Sequence, residues 1–212
     1  MLSTGSSRRW LATLLCLGMV AAGNLVIGAA AQAEVKVSES TKYYSVSGRS
    51  GLELGKAMLV GGGKTIRLRH AIAATATKFN VSNPVLAVEN GRCKIKSLRV
   101  DLGLTYYYPK WNGRSRASAA VRKSWDVFYQ ELVKHEKTHG KIAIEYARKL
   151  ENELLRTSGT ALARCADFTA VASFRVRNLA NELKRKQADF DRREGLSTSR
   201  ITKLQVQLIK TK

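Results

Sequence analysis

The segment VKHEKTHGKI, residues 133–142, contains two of the three histidines in this 212-residue chain. His135, Glu136 and His139 follow the spacing H-E-x-x-H. Residues four apart lie one turn apart on the same side of a helix, so both imidazoles could bind one metal ion, and Glu136 could act as a general base. On a helix this spacing is typical of zinc peptidases, in which a zinc-bound water attacks the peptide carbonyl.

The residues around the motif have the periodicity of a long amphipathic helix. At 100° per residue, apolar residues between Val121 and Leu150 share one side with both histidines, and lysines occupy the opposite side. A buried imidazole needs a hydrogen-bond partner or a cation. The spacing favours a bound metal; two core histidines satisfied by hydrogen bonds are the alternative.

The motif supplies two metal ligands, and the sequence does not single out a third. Glu145 lies six residues after His139, but a straight helix would place it about 9 Å further along the axis and on the charged side. The remaining candidates lie in other segments, and they are His70, Asp189, Asp191 and Glu194.

The elements around this helix predict an α+β fold. Alternating apolar residues and the turn signature Asn90-Gly91 predict an antiparallel β-rich half between residue 34 and about residue 110. The long helix with the H-E-x-x-H motif follows, and a second helix after Cys165 is expected to pack against it. We expect one zincin-like domain over residues 34–195 and a basic C-terminal tail over residues 196–212.

The N-terminus has the pattern of an export signal over residues 1–33. Arg8 and Arg9 precede an uncharged run from Trp10 to Ala31, and Ala31-Gln32-Ala33 forms an A-x-A cleavage site. Cleavage would leave a periplasmic or secreted protein with no membrane span. A retained anchor is the alternative, because the run is about as long as a spanning helix needs.

Removal of the signal would leave Cys93 and Cys165 as the only cysteines. An even pair in an exported chain predicts a disulfide, with two free buried cysteines as the alternative. The bond would close a loop of about 72 residues and stabilise the fold by on the order of 4 kcal/mol.

The chain is strongly basic, with 37 Lys and Arg against 16 Asp and Glu, a net charge of +21. Two of the basic residues lie in the signal, so the mature chain would carry 35 against 16, a net charge of +19. Such a surface attracts polyanions, and for an exported protein these are anionic polymers of the cell envelope. The charge is spread along the chain without a nucleic-acid motif, so no specific nucleic-acid partner is expected.

Several spaced segments together resemble the bacterial domain of unknown function 922 family, described as predicted secreted zinc-dependent proteases. The segments are GKTIRLRHAIAATATKFNV, YYYPKW and SWDVFYQELVKHEKTHGKIAIEYARKLE. The resemblance covers roughly residues 40–195 and includes Trp125, Tyr129, Cys93 and Cys165 as well as the motif. It implies an exported zinc enzyme acting on a peptide or protein substrate.

The end of the chain departs from that resemblance. Members typically close with a stretch similar to Y-D-x-x-T-x-H-G, whereas this chain has QADFDRREGLSTS. Phe190 and Asp191 match its start, and Leu196 stands where the histidine would be. Two alternatives therefore accompany the metallopeptidase: a catalytically degenerate basic envelope protein that binds anionic cell-surface polymers, and a metal-assisted hydrolase of another amide, such as one in peptidoglycan.

Overall fold

The structure is a computed structural model that describes residues 32–66, 71–157 and 164–212. In chain order the elements are β1 (Gln32–Ser47), α1 (Gly51–Ile66), β2 (Ala74–Glu89), β3 (Arg92–Asn112), α2 (Ala119–Thr157), α3 (Phe168–Glu194) and α4 (Arg200–Lys210). The predicted α+β class is confirmed. His70 and the predicted signal up to residue 31 lie outside the described residues.

The three strands form one sheet in the order β1-β3-β2. Asn90 and Gly91 join β2 to β3 with φ values of 52° and 73°, the left-handed conformation that a tight hairpin requires, so the predicted hairpin is confirmed. β1, however, pairs with β3 in parallel, and the prediction of an antiparallel half is wrong for this pair. β2 starts at the end of the sheet where β1 finishes, and it runs in the opposite direction to β1. The hairpin then reverses the chain, so β3 lies between β1 and β2 and runs parallel to β1.

One face of the sheet is covered and the other is open to solvent. From residue 98 to residue 108 the central strand alternates strictly, and every second side chain is buried; these are Leu98, Val100, Leu102, Leu104, Tyr106 and Tyr108. The helix α2 packs across this inner face through its apolar stripe, as the 3.6-residue periodicity predicts. Within the described residues no helix is both long and apolar enough to span a membrane.

The disulfide between Cys93 and Cys165 is present, with an S–S distance of 2.04 Å. It joins the start of β3 to the short turn Cys165–Asp167 that precedes α3. The predicted pairing is confirmed, as is the predicted second helix after Cys165. The bond fixes the first turn of α3 against the sheet.

Residues 196–212, predicted as a tail, contain the helix α4 and pack against the rest of the fold. Ile201 and Leu208 are buried in a cluster with residues of α1 and α2. The backbone N–H of Gly51 donates to the carbonyl of Thr211 at 3.0 Å, and the Ser199 hydroxyl caps the first turn of α4. Apolar residues recur at helical spacing in this basic segment, and this pattern builds the helix. Residues of α4 also form one wall of the pocket described below.

Candidate metal centre

The helix α2 places His135, Glu136 and His139 against the sheet and α3. Glu136 is 3% exposed and His139 is 7% exposed, while His135 is half-buried. Glu136 is therefore buried more deeply than His135, the residue that precedes it on the helix. The reason is β2, whose Thr75 lies directly over the Glu136 side chain.

The helix α3 adds Asp191, one of the candidates for the third ligand. Its Oδ1 lies 2.8 Å from His139 Nε2 and 3.3 Å from His135 Nε2. The two Nε2 atoms are 3.2 Å apart. Ligand atoms of a tetrahedral zinc site with bonds of about 2.0–2.1 Å are about 3.3 Å apart, so these three atoms have the spacing of three corners of such a site.

The other candidate ligands lie elsewhere. Asp189, two residues earlier on α3, pairs with Arg192. Glu145 is exposed, as its position on the helix predicted. Glu194 lines the same pocket one turn beyond Asp191 but does not join the cluster of three donor atoms. Asp191 is therefore the carboxylate that the described part of the chain brings to both imidazoles.

Gln187 determines which nitrogen of His139 carries the proton. Its amide N–H donates to the His139 carbonyl at 3.3 Å, so its Oε1 faces His139 Nδ1 and accepts a hydrogen bond from that nitrogen. In the neutral imidazole, Nδ1 is then the donor and Nε2 carries the lone pair. This hydrogen bond directs the lone pair of His139 Nε2 towards Asp191, which is the arrangement that a partner of the second nitrogen produces in metal-bound histidines.

The donor atoms of this cluster favour a positive charge between them. In a neutral His139 with its proton on Nδ1, the lone pair of Nε2 faces the Asp191 carboxylate at 2.8 Å, and these two groups repel one another. A proton or a metal cation removes the repulsion. The nitrogen and oxygen donors of this set fit zinc. The Nδ1 atom of His135 is buried without a hydrogen-bond partner among the described residues.

The pKa values of the site follow from burial and from these contacts. Burial opposes protonation of His139, but the Asp191 and Glu136 carboxylates outweigh it and raise the pKa of the imidazole. Burial also opposes ionisation of Asp191, yet the hydrogen bonds from His135 and His139 hold the pKa of its carboxyl below the usual range. For Glu136, burial dominates and raises the pKa of the carboxyl.

Glu136 is held in place by Thr75. The Thr75 hydroxyl lies 2.8 Å from Glu136 Oε2 and 3.0 Å from the Glu136 carbonyl, both of which can accept its proton. Sequence reasoning missed Thr75, because only the folded sheet brings β2 to α2. It also missed Gln187, although Gln187 and Asp191 are four apart on α3, a spacing that could have paired them.

A pocket of about 760 Å³ opens over the cluster. Its floor is α2, from Leu132 to His139, and its walls are β2, α3 and α4. Both imidazoles, Glu136 and Asp191 line this pocket. Its volume lies in the range of ordinary ligand sites.

Comparison with known protein families gives a match over most of the described chain. A family model described as "Bacterial protein of unknown function (DUF922)" matches residues 41–198, which include α2, the motif and Asp191. Searches of curated proteins and of solved structures returned no match. Because the match spans more than half of the chain, the protein belongs to the DUF922 family of bacterial proteins.

Proposed function

We propose that the protein is an exported zinc-dependent metallopeptidase. His135, His139 and Asp191 would hold the metal ion, and Glu136 would be the general base. The observation that carries this proposal is the convergence of two Nε2 atoms and one carboxylate oxygen at mutual distances of 2.8–3.3 Å beneath an open pocket.

Zinc bound to these donors would supply a Lewis acid that lowers the pKa of a coordinated water and polarises a substrate carbonyl. Glu136 follows His135 directly on α2 and faces the same pocket without being one of the three donors. Its buried carboxyl has a raised pKa, which suits a group that accepts a proton and then returns it to a leaving amine. Thr75 orients the carboxylate for both transfers.

Two further features support the proposal. The disulfide is expected in an oxidising compartment, in agreement with the predicted signal over residues 1–33. Phe190 stacks on the His135 ring at 4.8 Å and meets the His139 ring edge-on at 4.9 Å, which restricts both imidazoles to one orientation. A rigid ligand pair costs less conformational entropy when a metal binds.

Metal analysis of the purified protein tests the ligand set. We expect one zinc per wild-type chain and loss of that zinc in His135→Ala with His139→Ala. A wild-type chain without stoichiometric zinc after incubation with zinc salts would end the proposal.

The role of Glu136 needs a separate variant. Glu136→Gln should keep zinc and lose peptide hydrolysis, whereas Glu145→Gln, an exposed position on the same helix, should keep both. Hydrolysis at the wild-type rate by Glu136→Gln would remove Glu136 as the base.

The net charge of +21 supports a second candidate, a catalytically degenerate envelope protein that binds anionic polymers. Such binding should weaken steeply as salt is added, because exposed charges are screened within about 8 Å at physiological ionic strength. Salt-sensitive binding by a zinc-free, inactive wild-type chain would favour this candidate over the peptidase.

A further inference from the structure

The pocket continues beyond the metal centre in both directions. The helices α2 and α3 run antiparallel along it, since Lys149 pairs with Glu182 and His139 bonds Gln187. Asp191 lies one turn further along α3 and therefore reaches back to His135. The three donor atoms thus lie partway along an elongated trough, not at a closed end.

Each end of the trough has its own apolar lining. Beyond His139 the walls include Phe79 and Leu183, which belong to the core cluster under the centre of the sheet. Beyond His135 the walls include Ile72, Leu132 and Ile201, which belong to the separate cluster formed with α1 and α4. A ligand that fills both ends must cross the metal centre.

The α3 wall carries opposite charges at the two ends. Lys184, Gln187, Asp191 and Glu194 follow one another at spacings of three, four and three residues, so they share one face of the helix, and all four line the trough. At 1.5 Å per residue, Lys184 lies about 10 Å from Asp191 along the axis, and Glu194 lies about 5 Å from it on the other side. Neither Lys184 nor Glu194 forms an ion pair with any residue that the structure describes.

We propose that the trough binds an extended polypeptide across the metal centre, with an acidic side chain of the substrate at Lys184 and a basic one at Glu194. The inference rests on the proposed function and specifies its substrate class: internal segments of a polypeptide, with opposite charges on the two sides of the scissile bond. The two ends are about 15 Å apart along α3, which an extended chain of about four to five residues spans.

Cleavage of internal peptide bonds follows from the shape of the trough, which extends on both sides of the three donor atoms. A chain that passes over the metal centre occupies both apolar ends, so neither its amino nor its carboxyl terminus has to enter the site. The opposite charges of Lys184 and Glu194 also leave the net charge of a preferred segment near zero. Preference for such a segment is therefore distinct from the general attraction of a chain with net charge +21 for acidic molecules.

Peptide binding to the full chain tests the inference, with fluorescence anisotropy as the measurement. The probes are four peptides that share one apolar central sequence and differ only at two flanking positions, which lie four to five residues apart. The residues at these two positions are Glu and Lys in the first peptide, Gln and Lys in the second, Glu and Gln in the third, and Gln and Gln in the fourth. The Glu136→Gln background prevents turnover. Replacing either charged residue of the peptide by Gln should weaken binding about two- to fivefold, the range for partly exposed ion pairs.

Single charge-removing variants assign each preference to its residue. Lys184→Gln should abolish the preference for Glu in the peptide and keep the preference for Lys, and Glu194→Gln should do the reverse. The matched controls are Lys141→Gln and Glu145→Gln, which change the net charge equally at exposed positions of α2 outside the pocket. Both controls should keep both preferences.

Two results would overturn the inference. One is that the protein with Lys184 and Glu194 intact binds all four peptides equally. The other is that the preference for Glu persists in Lys184→Gln, or the preference for Lys persists in Glu194→Gln. Zinc content and hydrolysis report separately on the proposed function. A zinc-loaded, active protein without charge preference would refute only the trough specificity. A zinc-free, inactive protein whose preferences disappear in Lys184→Gln and Glu194→Gln would keep the trough and refute the peptidase.

Discussion

Gly140 allows α2 to approach the sheet next to His139, and Gly140→Ala should therefore destabilise the protein. A Cβ atom at this position would lie 2.2 Å from the hydroxyl oxygen of Tyr106, 3.2 Å from its Cζ and 3.4 Å from Leu104 Cδ1. Tyr106 and Leu104 are each 1% exposed, so neither can move aside without disturbing the core. Overpacking of this kind costs about 1–3 kcal/mol.

A second effect opposes the clash, because alanine is favoured over glycine in a helix interior by about 1 kcal/mol. A double-mutant cycle separates the two. In a Tyr106→Phe background the 2.2 Å contact is gone, and the nearest remaining contact is the 3.2 Å one to the ring. The helix-propensity gain is the same in both backgrounds and cancels, so the coupling free energy should report the hydroxyl clash at about 1–3 kcal/mol.

Urea unfolding of the wild type, the two single variants and the double variant measures that coupling. Tyr106→Phe alone should cost about 1 kcal/mol, because the hydroxyl donates to Glu39 at 3.3 Å. In the Phe background, Gly140→Ala should be neutral or stabilising by up to about 1 kcal/mol. A coupling below about 0.5 kcal/mol, the ordinary limit of additivity, would show that α2 does not approach β3 as closely as this reasoning requires.

Three further predictions concern the site and its supports. Asp191→Asn should weaken zinc binding by more than the roughly 10–100-fold typical of outer-shell changes, while Asp189→Asn should leave the dissociation constant unchanged in a chelator competition. In the metal-free protein, protonated His139 stabilises the fold because its pKa is raised above the unfolded value of 6.5. This stabilisation is fully present below pH 6.5 and is lost as the pH rises through the folded pKa, so the melting temperature of the metal-free protein should fall over that range. The increase in melting temperature on adding zinc should instead grow with pH, because the ligands must lose protons to bind the metal. Cys93→Ser with Cys165→Ser should lower the free energy of unfolding by about 4 kcal/mol, given their separation of 72 residues; a reductant should then have no further effect on the urea midpoint of that variant.

Local patterns predicted the elements that carry the site. The 100° periodicity located α2 and put both histidines of the motif on the side that faces the core, since position in the turn decides which side of an amphipathic helix a residue occupies. Asn90-Gly91 predicted the hairpin for a similarly local reason, because both residues tolerate positive φ. The disulfide followed from cysteine count and the expected compartment rather than from geometry.

Contacts between distant segments were not predictable in the same way. Nothing local distinguishes parallel from antiparallel pairing of β1, because the choice depends on where α1 delivers the chain. Asp191 could not be selected among the candidate ligands until α3 was placed antiparallel to α2. Thr75 is an ordinary strand residue in sequence, and its hydrogen bond to Glu136 forms only because β2 crosses α2 at that point.

The position of Asp191 on α3 explains how a carboxylate far from the motif in sequence reaches both of its imidazoles. The disulfide holds the beginning of α3 at Cys165, and Asp191 lies about 35 Å further along the same helix, measured from Phe168. Between them, buried Leu179 and Leu183 keep the helix against the core. The Asp191 carboxylate is thus carried on a rigid helix that the disulfide fixes at its opposite end. The Asp191 side chain is 57% exposed. That exposure lowers the cost of ionising it, while a metal ion at the Nε2 atoms would fix the second end of α3 to α2.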